Sequence, residues 1–249
     1  MISPPIADGL NEKQRQSVTL SEDINALILA GAGSGKTRVL THRIQYLVSE
    51  KNHHTDDILA VTFTNKAANE MKERLTELLY QPIGRMWVGT FHSLAHRLIR
   101  THAIEANLAP TFQILDAQDQ YRIIKRLMKE NAIDESKFPI RKVQWFINQQ
   151  KDEGIKPQDI DVGYNFFVKQ SAKIFDLYER HCQANDLVDF AGLLVKSYEL
   201  LKDNQKLLEH YQNKFKHILV DEFQDTNRIQ YQFIKILHNE SNHIFCVGD

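Results

Sequence analysis

The chain has 249 residues, enough for one large or two modest domains. Its 42% hydrophobic and 25% charged content is that of a soluble globular protein, which excludes disorder, collagen and coiled coil. With 31 basic and 32 acidic side chains the net charge is −1, so a partner as acidic as DNA would have to be held by a local groove rather than a chain-wide positive field. The two cysteines, Cys182 and Cys246, are far apart and form no CxxC, which excludes a disulfide framework or a cysteine zinc site and fits a reducing cytosol. Met1-Ile2-Ser3-Pro4-Pro5 lacks a basic patch followed by an apolar run, and no long uncharged apolar stretch follows. No signal peptide or membrane span is expected, and the expected location is cytoplasmic.

Neither repeats nor low-complexity tracts occur, and both ends of the chain read as α/β. Ile24-Asn25-Ala26-Leu27-Ile28-Leu29-Ala30 is a short apolar run stopping at a glycine cluster, as a buried strand does. From Lys36 the residues Leu40, Ile44, Leu47 and Val48 recur at helical spacing. Ile58 to Phe63 predicts a second strand, Met71, Leu75, Leu78 and Leu79 the apolar stripe of the next helix, and Met86 to Thr90 a third strand. This alternation is the rhythm of a parallel sheet with right-handed crossovers. From about Phe91 to Lys214 the patterns are almost wholly helical, with stripes such as Ile123, Ile124, Leu127 and Met128, or Phe175, Tyr178 and Cys182. Strands return at His217 to Asp221 and His243 to Val247. The expected architecture is a parallel α/β core, residues 1–90 and 215–249, interrupted by an all-helical insertion at 91–214. A sheet that ends on the polar tip Gly248-Asp249, with no covering helix after it, reads as cut off.

The strongest local signal is Ala30-Gly31-Ala32-Gly33-Ser34-Gly35-Lys36-Thr37, a P-loop pattern with Ala30 where the strict form has its first glycine. Its glycines let successive backbone N–H groups converge on phosphate oxygens, and the following helix aims its positive dipole end there. Lys36 would reach the β- and γ-phosphates, and the Thr37 hydroxyl would take a Mg²⁺ position. Such a loop needs a metal-holding carboxylate. Ile218-Leu219-Val220-Asp221-Glu222 buries a strand and presents Asp221 at its tip, with Glu222 placed to deprotonate the attacking water. Asp225 or Thr226 is expected to cap the helix beginning at Asn227.

Other features are weaker alone. Asn11-Glu12-Lys13-Gln14 reads as a capping box, with Asn11 as N-cap and Gln14 three residues on. Phe63 and Phe91 at strand tips read first as core. His92 and His96 stand one helical turn apart without a third ligand, which argues against zinc. Arg122, Lys125, Arg126 and Lys129 form one basic helix face, a solvated surface by default and a DNA contact as the alternative.

Leu10 to Gln14, Ala30 to Thr37, Val61 to Ala68, Val88 to His92 and Val220 to Asn227 follow the order and spacing of superfamily 1 DNA helicases of the UvrD/PcrA/Rep type. The resemblance extends to Gln150 to Gly154 and Leu187 to Phe190, and so covers essentially the whole chain. It implies that Gln14 reads adenine, against the bare capping reading, although one side chain could do both. It implies an arginine near the nucleotide at Arg38. It implies a single-stranded DNA groove lined by Thr62, Phe63, Asn65, Thr90 and His92, with Phe63 stacking on a base. The core would be RecA-like subdomain 1A and the insertion subdomain 1B. ATP and Mg²⁺ would be the cofactors, single-stranded DNA and single/double-strand junctions the partners, and 3′-to-5′ unwinding, in DNA repair, the activity. In such helicases a second RecA-like domain completes the ATP site, and the chain stops at Asp249 before it. The alternatives are the N-terminal part of a RecB- or AddA-type helicase-nuclease, a P-loop kinase or transporter subunit, and a nucleotide- or DNA-binding module without significant turnover.

Overall fold

The computed structural model of the chain describes residues 9–31 and 33–249. It is an α/β structure that divides into two compact units. One gathers Met1–Leu94, Asn204–Thr226 and Ile234–Asp249, and the other Ala95–Asp203 and Asn227–Phe233.

The first unit is built on a five-stranded, fully parallel sheet. Its strands are β1 (Ala26–Leu29), β2 (Ile58–Thr62), β3 (Trp87–Thr90), β6 (His217–Val220) and β7 (His243–Gly248), in the order β1-β7-β6-β2-β3. All residues of β2, β3 and β6 are buried, as near-continuous apolar strands covered on both faces must be. On one face lie α1 (Glu12–Val18), α2 (Lys36–Ser49) and α3 (Asn65–Leu79), whose Val18, Leu40, Ile44, Met71 and Leu75 share a core with Ala60, Val88, Leu219 and Val247. Each such aliphatic side chain contributes about 1.5–3 kcal/mol on full burial. Opposite, α9 (Gln205–Lys214) brings Tyr211, with Phe215 just beyond it, edge-on to Trp87 at centroid distances of 5.6 and 5.3 Å. The buried-strand reading of residues 24–30 needs correction. β1 is an edge strand whose side chains alternate, leaving Leu27 and Leu29 53% and 68% exposed.

The second unit contains β4 (Gln113–Leu115), α5 (Ala117–Glu130), α6 (Ile140–Asp152), α7 (Phe166–Ala184), β5 (Leu187–Asp189) and α8 (Phe190–Asp203). It is not all-helical: β4 and β5 pair in parallel. Three-residue strands more than seventy positions apart carry no readable alternation, and only the packed helices bring them together. Asp189 at the end of β5 is buried and accepts hydrogen bonds from Lys151 Nζ, Tyr178 Oη, Gln120 Nε2 and the Gly192 amide. Burial works against its charge, but Lys151 and these donors more than offset it and hold the carboxyl below its usual range. α4 (Phe91–Thr101) starts in the first unit and ends in the second, and α9 clusters with the sheet, so the compact units follow different bounds from 91–214.

At the N-terminal ends of β6 and β7, His217 is buried with its Nε2 3.1 Å from His53 Nε2, and His53 Nε2 lies 3.1 Å from Glu22 Oε2. Burial, aided by His53, Arg43 and His243, pushes the His217 imidazole down to about 3. A histidine depressed in the folded state is neutral there and charges on unfolding. Its contribution to stability is therefore intact above the usual value near 6.5 and is lost as pH falls from there towards 3. Denaturant unfolding should show this as a loss of roughly 1.4 kcal/mol per pH unit in that window. His217→Gln should flatten the dependence by one proton; an unchanged slope in a folded variant would rule the assignment out.

Candidate functional site

Every strand of the parallel sheet ends at the same edge, so the loops that follow them are neighbours. The glycine-rich loop follows β1, Asp249 follows β7, Asp221 and Glu222 follow β6, Phe63 follows β2 and Phe91 follows β3.

The loop has the backbone its sequence demands. Gly33 and Gly35 have φ of +76° and +86°, the left-handed region that costs glycine nothing. Gly35 is the N-cap of α2 without a side-chain cap, so the first amides of the helix keep no intrahelical partner. The Ala30 amide donates to the Gly248 carbonyl at 2.9 Å, and the Ser34 amide to the Gly31 carbonyl at 3.2 Å. Ala32 lies outside the described residues.

Lys36 turns back over the loop, donating to the Ala30 carbonyl at 3.1 Å and contacting the Asp249 carboxylate, with Glu222 Oε2 3.7 Å away. The Asp249 hydrogen bond raises the ammonium above its usual value; burial opposes it, and Glu222 and Asp221 add to it. The Thr37 hydroxyl donates to Asp221 Oδ2 at 3.0 Å. Asp221 is 3% exposed, and burial pushes its carboxyl up, while the Thr37 hydrogen bond and Lys36 pull the other way. Glu222 sits at φ +49°, an uncommon conformation for a residue with a Cβ.

Gln14 forms the capping box expected of it. Its amide accepts from the Asn11 N–H at 3.0 Å while its own N–H donates to Asn11 Oδ1 at 2.9 Å, closing a capping box. The same side chain donates through Nε2 to the Ser34 carbonyl at 2.8 Å, tying α1 to the loop. The Arg38 guanidinium lies against Gly9, where any Cβ would collide with it. An open cavity of about 360 Å³ is lined by Gly33, Gly35, Lys36, Thr37, Arg38, Arg74, Glu222 and Asp249. Three cationic side chains and unpaired helix amides around a space of this size suit a polyphosphate. The Thr37 hydroxyl and Asp221 carboxylate are the hard oxygen donors that Mg²⁺ takes.

Along the same edge, Thr62 and Thr90 are register partners in β2 and β3. Both are buried: the Thr62 hydroxyl donates to the Thr64 carbonyl at 3.1 Å, and the Thr90 hydroxyl accepts from the Ser93 amide at 3.2 Å. Phe63 is half-buried and meets the fully buried Phe91 in a T-shaped contact at 5.6 Å. Asn65 is exposed at the start of α3, which Thr64 caps. His92 is half-buried, and burial pushes it down to about 4, so it is neutral at pH 7. The basic side chains of α5 are exposed, with Arg122 paired to Asp119 and Arg126 to Glu130, as on a solvated helix face.

Sequence reasoning missed Arg74 and Gln224. Arg74 lies mid-helix among other charged residues, and only the packing of α3 against α2 turns it towards the loop. Gln224 links Glu222 to the Asp249 amide. The cap of the helix after residue 227 is also corrected. Asn227 and Gln230 exchange amide and side-chain bonds at 3.0 and 3.1 Å, while the Thr226 hydroxyl instead donates to the Phe223 carbonyl. Among the described residues, no group of three or more His, Cys, Asp or Glu side chains is arranged to hold a metal ion. No helix among them is long and apolar enough to cross a membrane.

A glycine-rich strand-to-helix loop facing an Asp-Glu strand tip defines a P-loop protein of parallel α/β architecture. The chain belongs to the UvrD/REP helicase N-terminal domain family, which it matches over residues 10–249. It is 50% identical over 249 residues to DNA helicase II of Haemophilus influenzae, and 49% identical over 244 residues to DNA helicase II of Escherichia coli; each alignment covers 98% of this chain and 34% of the relative. It is 39% identical over 249 residues to the ATP-dependent DNA helicase PcrA of Bacillus subtilis, covering 100% of this chain and 34% of that protein. The chain thus spans about a third of the length of these relatives.

The electrostatics of Asp221 can be read directly. The carbon-13 resonance of its carboxyl should titrate with a midpoint above the usual carboxylate range, and Thr37→Val, which removes the opposing hydrogen bond, should raise it further. A midpoint at or below the ordinary value would contradict the burial described.

Proposed function

We propose that this chain is the ATP-binding N-terminal region of a bacterial 3′-to-5′ DNA helicase, a motor that couples ATP hydrolysis to movement on single-stranded DNA and to duplex unwinding. The carrying observation is the hydrogen bond from Thr37 to Asp221, which joins the glycine-rich loop to the β6 tip with Lys36 and Glu222 in reach. The names of the relatives, DNA helicase II and ATP-dependent DNA helicase PcrA, support the class of activity. Polarity and a role in DNA repair rest on the family resemblance, as do an action at single/double-strand junctions and a cytosolic location.

In this reading Gly31 to Gly35 and the α2 amides cradle the phosphates, Lys36 carries their charge, and Gln14 reads the adenine edge next to Ser34. Arg38 and Arg74 add positive charge around the phosphates. Mg²⁺, held by Thr37 and Asp221, supplies charge neutralisation when bound. Glu222 takes a proton from the attacking water, a task for a carboxylate side chain that is partly open to solvent. Residues 1–90 and 215–249 would form subdomain 1A and residues 91–214 subdomain 1B. The two compact units support a sheet-based and a helix-rich part, with bounds that differ: α9 goes with the sheet and Asn227–Phe233 with the second unit.

Division of labour between Lys36 and Glu222 makes the reading testable in the intact protein. Lys36→Ala should abolish binding of a fluorescent ATP analogue and turnover together. Glu222→Gln should keep binding and lose about two to four orders of magnitude in DNA-stimulated ATP hydrolysis. Parental hydrolysis in Glu222→Gln would remove Glu222 from the role of base.

The strand-tip residues predict a separate effect. The half-buried Phe63 ring would offer a stacking platform that accepts any base, with Asn65 close by in sequence, His92 following its ring partner Phe91, and Thr62 and Thr90 holding the turns in shape. Phe63→Ala should cost roughly 1–3 kcal/mol of oligothymidylate affinity, measured by anisotropy, and leave DNA-independent nucleotide binding unchanged. Unchanged DNA affinity in a folded variant would return Phe63 to the core.

A further inference from the structure

Glu222 stands on a left-handed residue with its side chain partly open to solvent, and a glutamate so placed has several rotamers to choose from. A base that must meet one water in one direction needs something to select among them. The nearest hydrogen-bonding side chain is Gln224, in the single helical turn Phe223–Asp225 that follows. Its Nε2 donates to Glu222 Oε2 at 2.7 Å, and its Oε1 accepts from the Asp249 amide at 3.1 Å.

The orientation of that amide is not arbitrary. A backbone N–H can only donate, so the Gln224 atom that meets the Asp249 amide must be the oxygen. The nitrogen is thereby turned to Glu222, where it donates to a carboxylate, the stronger kind of hydrogen bond. Lys36 also approaches Oε2, at 3.7 Å. Both contacts fall on one oxygen, and Oε1 of Glu222 takes no hydrogen bond or ion pair among the described residues. The end of β7 has room for this bridge because residue 248 is glycine. A Cβ there would come within 2.8 Å of Gln224 Oε1, while the next atoms it would meet, at 3.5 and 3.7 Å, are at ordinary contact distance.

We propose that Gln224 is a positioning residue for Glu222: held by the Asp249 amide, it pins one carboxylate oxygen and leaves the other aimed at the attacking water. The inference rests on the reading of Glu222 as the base. It adds that the β7 tip, through Gln224, sets the direction in which that base points.

The test uses the intact protein with saturating oligothymidylate, comparing kcat for ATP hydrolysis with the Kd of a fluorescent ATP analogue. Gln224→Ala removes the bridge. Gly248→Ala displaces it from the other side, and the atom that must move is the end of a flexible side chain, so the strand itself is spared. Each should lower kcat about ten- to a hundredfold, the cost of misplacing a catalytic group by about an ångström, with nucleotide Kd within about twofold of the parent. Gln224→Glu keeps an acceptor for the Asp249 amide but sets a carboxylate against Glu222, and should fall at least as far. A purely structural glutamine would not divide the effects in this way, because a loosened loop weakens nucleotide binding as well. Parental kcat in both Gln224→Ala and Gly248→Ala, with Glu222→Gln inactive, overturns the inference and leaves the base assignment standing. So does a joint fall in kcat and nucleotide affinity. Parental hydrolysis in Glu222→Gln overturns the base assignment and the positioning role with it.

Discussion

The uniform direction of the five strands is the constraint on which the site depends. In a parallel sheet each strand delivers its following loop to the same edge, and the order β1-β7-β6-β2-β3 decides which loops become neighbours. The glycine-rich loop sits at one end of that edge and Phe63 and Phe91 at the other, with Asp249, Asp221 and Glu222 between them. Residues from Ala30 to Asp249 that follow the strands are assembled this way. The central strands, buried on both faces, hold the loops from below, so the loops carry the chemistry on a fixed base.

Charge balance governs what the edge can accept. Lys36, Arg38 and Arg74 line a cavity open to solvent together with Glu222 and Asp249, and Asp221 lies buried behind Thr37, so the site nearly neutralises itself. Lys36 spends its hydrogen bonds on the Ala30 carbonyl and Asp249, and a polyanion that entered would compete for them. The near-zero net charge has the same consequence for nucleic acid: attraction must come from local groups, not from the field of the whole chain. Positive φ at Gly33, Gly35 and Glu222 puts uncommon backbone where this chemistry lies, although Asn52 and Tyr80 of the same unit adopt it elsewhere.

The second unit uses buried polarity differently. Asp189 is surrounded by donors from α5, α6, α7 and α8, so α5, α6 and α7, which share a core, also share one carboxylate with α8. Removing one member of such a set strands the others in a low-dielectric interior, which ties the helices to a single arrangement. Lys151 and Asp189 were visible in the sequence as parts of family-like stretches, but nothing in their order indicated that they meet.

Local patterns carried a great deal. The glycine spacing of Gly31, Gly33 and Gly35 dictates a left-handed loop wherever it is placed, and three apolar residues before Asp221 dictate a buried strand with a carboxylate at its tip. Helical stripes such as Leu40 and Ile44, or Ile124 and Met128, were legible because burial on one face repeats every 3.6 residues. The capping box of Asn11 and Gln14 was legible for the same reason: its partners are three residues apart. Pairings between distant segments were decided only by tertiary structure. They include the edge position of β1, the short strands β4 and β5, the turn of Arg74 towards the loop, and the reach of Gln14 to Ser34. They also include the bridge of Gln224 between Glu222 and Asp249. The physical reason is common to all of them. A sequence window encodes the backbone and the face that one element must bury, whereas the partner of an edge strand or a polar side chain is fixed only when separate elements pack.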